Sequence, residues 1–452
     1  MSTKAIDSLT GEVFTPGDEG YDEARKVYNA MIDRRPAAVV RPQDTAGVAA
    51  AVSFARENGH SIAVRGGGHS VPGFGTADDA VVIDLVAMQN VGVDAENRTA
   101  RAQGGATWGV FNDATHAHGL ATTGGIISTT GVGGLTLGGG IGYLARGAGL
   151  SCDNLVSAEV VTADGQVVTA SERENEDLFW ALRGGGGNFG VATMLEFRLQ
   201  PVETIYGGPV VFELEDAETV LRFYREFIQD APEELGGFPA WQIAPPLPFI
   251  PEERQGEPFL IWVTCWSGPV EQGEAALKPI FDVAPVVAEH VGAMPYPALN
   301  SAFDALVPPG MQHYWKANFV TELTDEAIDA HLEHGPKIPV VNSTVHIYPI
   351  NGACHRVAPD ATAFAYRDAT FATVIAGMWP DPAQNDANTK WVRDFYDATA
   401  PLSEEGGYVN FMSGDDQDRI QANYKGNYDR LVDVKRKYDP ENLFRHNQNI
   451  RP

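Results

Sequence analysis

Of the 48 glycines in this chain, 27 fall between residues 61 and 200. Glycine weakens helices and strands because its backbone loses the most freedom on folding, so such a concentration needs a reason. A flexible linker is one reason, but linkers do not alternate with apolar runs. Here the glycines punctuate Val64 and residues 81–83, 160–161 and 194–195, short apolar segments of buried-strand character. Backbone that must approach something closely accounts for both features.

The rest of the composition is ordinary for a folded chain. Hydrophobic residues make up 44% and charged residues 20%, which excludes wholesale disorder, and 452 residues suggest two or three domains. Sixty acidic against 32 basic residues leave a formal charge of −28. That field repels phosphate backbones and anionic lipid, so neither nucleic acid nor a membrane surface is an expected partner. The acidity is spread along the chain and reads as a solvated surface. Cys152, Cys265 and Cys354 lie far apart, so neither a disulfide framework nor a metal site is expected. Residues 1–12 lack the layout of a signal peptide, and the longest mostly apolar stretch, residues 47–55, is too short to span a bilayer. A cytoplasmic protein is the expectation; nothing speaks to its oligomeric state.

Asp44 and Thr45 can cap a helix in which Val48, Ala51, Val52 and Ala55 recur at helical spacing, ended by Gly59. Strands are expected over residues 61–65, 81–85 and 191–199, helices over 108–118 and 175–182, and a hairpin over 157–171 turning at Asp164-Gly165. Beyond about residue 203 the character changes to more proline and most of the tryptophan, and from Tyr408 the chain becomes rich in Asn and Tyr.

Residues 185–190 match G-x-G-x-x-G, but that motif needs a following helix, and residues 191–199 alternate like a strand, so a dinucleotide site of that kind is rejected. There is no Walker A run, no H-E-x-x-H and no G-x-S-x-G. What remains are three backbone-rich loops, at residues 65–70, 129–142 and 183–190, whose successive amides can form anion-binding nests for an elongated phosphate ligand. An imidazole in the first loop is unusual for such a cradle; taken alone, His69 reads more readily as a residue bonded to its own loop.

Together, the runs Arg65-Gly66-Gly67-Gly68-His69-Ser70, Gly138-Gly139-Gly140-Ile141-Gly142, Gly149-Leu150-Ser151-Cys152-Asp153-Asn154 and Asp177-Leu178-Phe179-Trp180-Ala181-Leu182-Arg183-Gly184-Gly185 resemble FAD-linked oxidoreductases of the vanillyl-alcohol-oxidase superfamily. So do Tyr438-Asp439-Pro440-Glu441-Asn442-Leu443-Phe444 and Asn447-Gln448-Asn449. The branch they are most similar to is the berberine-bridge-enzyme-like one, with its bacterial nicotine-oxidising members. The resemblance spans nearly the whole chain, strongly at both ends and weakly between.

It implies an α+β fold: an FAD-binding domain (PCMH type) made from residues 1–205 and 405–452, and a substrate domain at 206–404 with an antiparallel sheet backed by helices. It implies FAD as cofactor, bonded covalently through His69. Arg65, Gly66, Gly67, Gly68, Ser70, Thr129, Thr130, Gly131, Gly134, Gly138, Gly139, Gly142, Asn154, Gly190, Val191, Asn447 and Asn449 would contribute to its site. Doubly linked members carry a cysteine where this chain has Ile127, so a single link is expected, with Cys152 a small buried residue beside the cofactor wall.

A flavin oxidase takes a hydride from a substrate C–H while a neighbouring O–H or N–H loses its proton, so a base should face the ring. Tyr408 and Asn410 resemble the family's Tyr-x-Asn pair, expected two residues apart on a strand and projecting together at the flavin. A phenol needs a nearby cation to act as base, and Lys316 or Arg367 could supply it. In the middle domain Trp241, Trp262, Trp266, Tyr296, Tyr314, Trp315, Tyr348 and Tyr366 read mostly as core, some as the floor of an apolar pocket. His313, His346 and His355 read as structural. Thr130 aligns with the family position that gates oxygen, and its size favours an oxidase. The expected activity is oxidation of a small alcohol, amine or heterocycle, with oxygen as acceptor and hydrogen peroxide as product. The alternatives are an oligosaccharide oxidase, or a dehydrogenase or electron-transfer protein using another acceptor.

Overall fold

The computed structural model describes residues 9–452; residues 1–8, part of the segment read above for a leader, lie outside them. The first sheet runs Glu12–Phe14, Ala38–Arg41, Val81–Asp84, Ile62–Arg65. Its last three strands are parallel. All four residues of the central Val81–Asp84 are buried, as a parallel strand covered on both faces should be. The helix Thr45–Glu57 links two of these strands and starts where its cap predicts, Asp44 Oδ1 accepting from the Gly47 amide at 2.8 Å. The carboxyl end of Ile62–Arg65 therefore opens directly into the first glycine loop, the end of a parallel sheet at which ligands bind.

The second sheet is antiparallel, in the order Val91–Asp94, Thr99–Gln103, Val191–Arg198, Leu155–Val161, Val167–Ser171. The third is larger and also antiparallel: Val286–Glu289, Thr204–Phe212, Pro258–Trp266, Leu235–Ile243, Thr344–Pro349, Phe371–Trp379, Gln312–Val320, with Gly292–Pro295 beside Thr204–Phe212. Alternation sorts its side chains. Trp241, Trp262, Val345 and Phe371 pack under helices that include Ala217–Asp230, Asp325–His334 and Asn385–Thr399. Ala240, Ile261, Tyr348 and Val374 point the other way, into a core shared with residues of the 141–152 stretch. Among the described residues no helix is long and apolar enough to cross a membrane.

Buried charges tie the parts together. The Arg146 guanidinium donates to the carbonyls of Ile228, Ala231 and Pro232, each at 2.9 Å, and to Asn351 Oδ1 at 2.8 Å, capping the end of Ala217–Asp230 from the first glycine-rich half. Arg367 grips Asp153 through two bonds of 2.8 and 2.6 Å. The C-terminal helix Tyr428–Tyr438 returns to the glycine-rich half, where Lys437 and Tyr438 both reach Asp177, at 2.7 and 3.0 Å.

Candidate active site

One cleft separates the glycine loops from the inward face of the large sheet, and it is lined from both sides. On the loop side, an added Cβ at Gly67 would lie 2.4 Å from the Gly131 nitrogen, and one at Gly131 would lie 2.5 Å from the Gly67 nitrogen. What the glycine backbone approaches so closely is thus first of all another glycine loop, and only two residues without side chains permit it. Gly66, Gly68, Ser70, Thr130 and Gly134 also line the cleft, and an added Cβ at Gly134 or Gly187 would meet nothing within 4 Å. The amides of Gly66, Gly67, Gly68 and His69 find no protein acceptor among the described residues, the arrangement of an anion nest.

His69 faces this cleft with its ring stacked on Tyr28, centroids 3.8 Å apart. Nε2 meets Thr129 Oγ1 at 3.0 Å, which leaves Nδ1 without a partner among the described residues. Burial, reinforced by the charge of nearby His313, lowers its pKa to about 3, so the imidazole is neutral and nucleophilic at physiological pH.

Arg65 is among the residues that line the cleft, while its guanidinium turns away to Asp84 Oδ2 at 2.7 Å and the Lys26 carbonyl at 2.8 Å. It braces the loop from behind and carries no free charge to the cleft. Asn447 lines the far end, its amide on the Gly187 carbonyl at 3.1 Å, and Asn447 Oδ1, Gln448 Nε2 and Asn449 Oδ1 are buried without partners. Unpartnered buried polar atoms beside an open glycine cradle fit a bound, extended polar ligand such as FAD.

Other expected residues stand behind the lining. A Cβ on Gly138 would strike Asn410 Oδ1, Gly139 abuts Phe364, Gly142 the Gly124 carbonyl, and Gly190 the Val161 carbonyl. Val191 begins a strand opposite Val161. Asn154 spends its amide on the carbonyls of Ala148 and Leu150, both at 2.9 Å. Cys152 is buried in the shared core away from the cleft, and burial together with Asp153 holds its thiol well above its usual range.

The Tyr-x-Asn pair departs from expectation in two ways. Tyr408 precedes a tight 3₁₀ turn, Val409–Phe411, closed by the Phe411 amide on the Tyr408 carbonyl at 2.9 Å, and is not on a strand. The phenol is fully buried behind Asn410, which does line the cleft. Tyr408 Oη accepts from Gly140 N at 2.8 Å, from Ile141 N at 3.3 Å and from Asn410 Nδ2 at 2.7 Å. Nor does a cation serve it. Lys316 is paired with Asp416 and Asp415 at 2.7 and 3.0 Å, Arg367 is held by Asp153, and burial raises the Tyr408 pKa.

On the sheet side, His313 and His346, read from the sequence as structural, come to the surface of the cleft, and Trp315 and Tyr348 are among the aromatics that floor it. His313 and Trp315, then Thr344, His346 and Tyr348, alternate along two strands and line it. The period-2 pattern was the available signal; which face it turned inward was not. His446 also lines the cleft, bonded to Ser61 Oγ at 2.8 Å. His355, by contrast, is bonded to the Ala369 carbonyl at 2.9 Å and lies off the lining.

Residues 36–171 match the FAD binding domain family, and residues 407–451 match the berberine and berberine-like family. An FAD-linked oxidoreductase of Bacillus subtilis, YgaK, is 32% identical over 98% of this chain and 97% of its own. The chain belongs to the berberine-like FAD-linked oxidoreductases. It is therefore a flavoprotein enzyme with FAD as its cofactor. A second relative, (R)-6-hydroxynicotine oxidase of Paenarthrobacter nicotinovorans, is 31% identical over 98% of this chain and 97% of its own. The crystal structure of 6-hydroxy-D-nicotine oxidase from Arthrobacter nicotinovorans superposes with a TM-score of 0.88 at 27% identity, covering both chains fully. The α+β architecture expected from the sequence is thus that of the family.

Proposed function

We propose that this flavoenzyme is an oxidase for a small molecule bearing an oxidisable C–H beside a hydroxyl or amine, with FAD tethered by a single bond to His69. The observation that carries this reading is the state of His69: neutral, aimed into the cleft from the glycine loop, with one ring nitrogen fixed by Thr129 and the other free. Bound FAD supplies a ring that accepts the hydride and passes the electrons on. The nest at residues 66–69, Thr130, Gly131, Gly134 and Asn447 hold the cofactor. Gly138, Gly139, Gly142, Asn154, Gly190, Val191 and Asn449 shape the wall behind it. Tyr408 and Asn410 lock the 135–141 stretch through the Gly140 amide and the Leu135 carbonyl, so that Asn410 presents its side chain from a fixed position. Ile127 and Thr130 both line the cleft, and neither blocks it with a large side chain, which supports oxygen as the acceptor. Cys152, away from the lining and with a thiol resistant to ionisation, supports the single link.

Acid precipitation of the yellow protein, followed by peptide mass mapping, tests the assignment. Flavin mass is expected on the His69 peptide alone and absent from the precipitate of His69→Ala. Flavin on the Cys152 peptide, or release of all flavin by acid, overturns it. Oxygen as acceptor is tested separately, by peroxide released per substrate consumed; a ratio near one is expected.

A further inference from the structure

The sheet side of the cleft holds polar atoms without work to do. Trp315 Nε1 and His313 Nε2 are buried with no partner. His346 Nδ1 meets Tyr348 Oη at 2.6 Å, and its Nε2 has no partner among the described residues. The residues across the ladder from His346 are Ala240 and Val374, small enough to leave the imidazole reachable. Aromatic rings fence it: Phe238 lies 4.6 Å from His346 and 4.5 Å from Tyr348, and Phe411 stacks on Tyr348 at 5.8 Å.

The charge inventory is as informative. Among the described residues lining the cleft there is no Asp, Glu or Lys, and the one arginine, Arg65, turns its guanidinium away to Asp84. Lys316 lies one residue from Trp315 but on the opposite face of the strand, bound to Asp415 and Asp416. Burial keeps both imidazoles neutral, His313 down to about 4 and His346 down to about 3. An ammonium or a carboxylate entering here would be desolvated with no counter-charge, which is strongly unfavourable, whereas a hydroxyl on an apolar frame, able to donate or to accept, matches either tautomer of His346.

We propose that the substrate is an uncharged, largely aromatic alcohol, and that the His346–Tyr348 pair is its specificity determinant, Nε2 of His346 sharing a hydrogen bond with the substrate hydroxyl while Tyr348 fixes the imidazole. This rests on the oxidase reading and narrows its substrate class. Polyhydroxylated sugars are disfavoured by the apolar share of the lining, Phe238, Phe411 and Val374 among it, against which most of their hydroxyls would lie.

The test is calorimetric titration of the yellow holoprotein under nitrogen with four near-isosteric probes and one sugar. The probes are 4-methoxybenzyl alcohol, 4-methylanisole, 4-methoxybenzylammonium and 4-methoxybenzoate; the sugar is cellobiose. The alcohol should bind about tenfold more tightly than 4-methylanisole, the worth of one hydrogen bond in a desolvated site. The two ions and the sugar should show no saturable binding. His346→Leu should reduce the alcohol to the affinity of 4-methylanisole while leaving 4-methylanisole unchanged, which also reports an intact cleft. Tyr348→Phe should weaken the alcohol by a few-fold. Equal binding of alcohol and 4-methylanisole, or preference for an ion or for cellobiose, overturns the inference while the oxidase reading stands. A colourless protein instead sinks the oxidase reading itself.

Discussion

At the residue scale, His69 and Tyr408 exchange the emphasis that motif reading gives them. His69 is neutral, reachable and half-committed, the condition of a nucleophile. Tyr408 receives three donors on one oxygen with no cation nearby, the condition of a structural acceptor. Tyr408→Phe should therefore orphan the amides of Gly140, Ile141 and Asn410 and cost about 1–3 kcal/mol, read as a lower urea midpoint. The pH profile of kcat should keep its shape, because a phenol raised above its ordinary range does not ionise under working conditions. An alkaline limb present in the parent and missing in the variant would instead mark Tyr408 as the base. Spacing alone could not separate these outcomes: Tyr408 and Asn410 are two apart on either a strand or a turn, and the amides of Gly406 and Gly407 go to Tyr366 Oη at 2.8 Å and Asn423 Oδ1 at 2.9 Å instead of to a neighbouring strand.

At the scale of elements, the C-terminal motif has a physical explanation in one buried ion pair. Lys435 and Asp439, both without solvent exposure, meet at 2.6 Å one helical turn apart. Lys435 also donates to the carbonyls of Asn188 at 2.8 Å and Phe444 at 2.9 Å, while Asp439 accepts from the amides of Leu443 at 2.7 Å and Phe444 at 2.9 Å. The pair pins the chain end to the third glycine loop, and Asn188 in turn bonds the Gln448 carbonyl at 3.1 Å. Asp439→Ala strands a buried ammonium and should cost about 3–5 kcal/mol, whereas Lys435→Met with Asp439→Leu should recover much of that loss. Chemical denaturation of the single and double variants checks this; equal losses in both would show that packing, and not the unpaired charge, dominates. The helices Thr45–Glu57, Trp108–His116 and Glu176–Leu182, the strands Ile62–Arg65, Val81–Asp84 and Val191–Arg198 and the hairpin of Leu155–Val161 with Val167–Ser171 were legible from caps, turns and alternation, because those signals are local. The short strands Ala38–Arg41, Val91–Asp94 and Thr99–Gln103 carry no such signal and were not legible. Nor was the order of strands in the large sheet, since it is set by contacts between segments more than a hundred residues apart, such as Ala240 with His346.

For the molecule as a whole, five histidines are held neutral by burial: His69 and His346 at about 3, and His313, His331 and His446 at about 4. Each takes up a proton near its ordinary pKa of 6.5 once unfolded, so the unfolded chain binds more protons as pH falls from about 6.5 towards 4. The stability they contribute is present above that window and lost on acidification through it. A formal charge of −28 acts in the other direction, since self-repulsion relaxes on approach to the pI near 4.7. His331 isolates the first effect: it sits in the helix Asp325–His334, away from the cleft, edge-on to Phe395 at 5.2 Å, with Nδ1 unpartnered. His331→Leu should gain on the parent protein as pH is lowered from 7.5 to 4.5, measured as the difference in thermal midpoint; a difference constant with pH would refute the linkage.

Residue pattern alone marks the glycine loops, the imidazole within the first of them, the capped helix Thr45–Glu57, the alternation of Val191–Arg198 and the motif at residues 438–449. These depend on backbone freedom, on period and on capping, which neighbouring residues settle among themselves. Long-range packing sets Gly67 against Gly131, consumes the charges of Arg65, Lys316 and Arg367 in ion pairs, and turns His346 and Tyr348 towards the cleft. Those outcomes depend on which surface is removed from water and which opposite charge lies within reach, and both are fixed by segments distant in the chain.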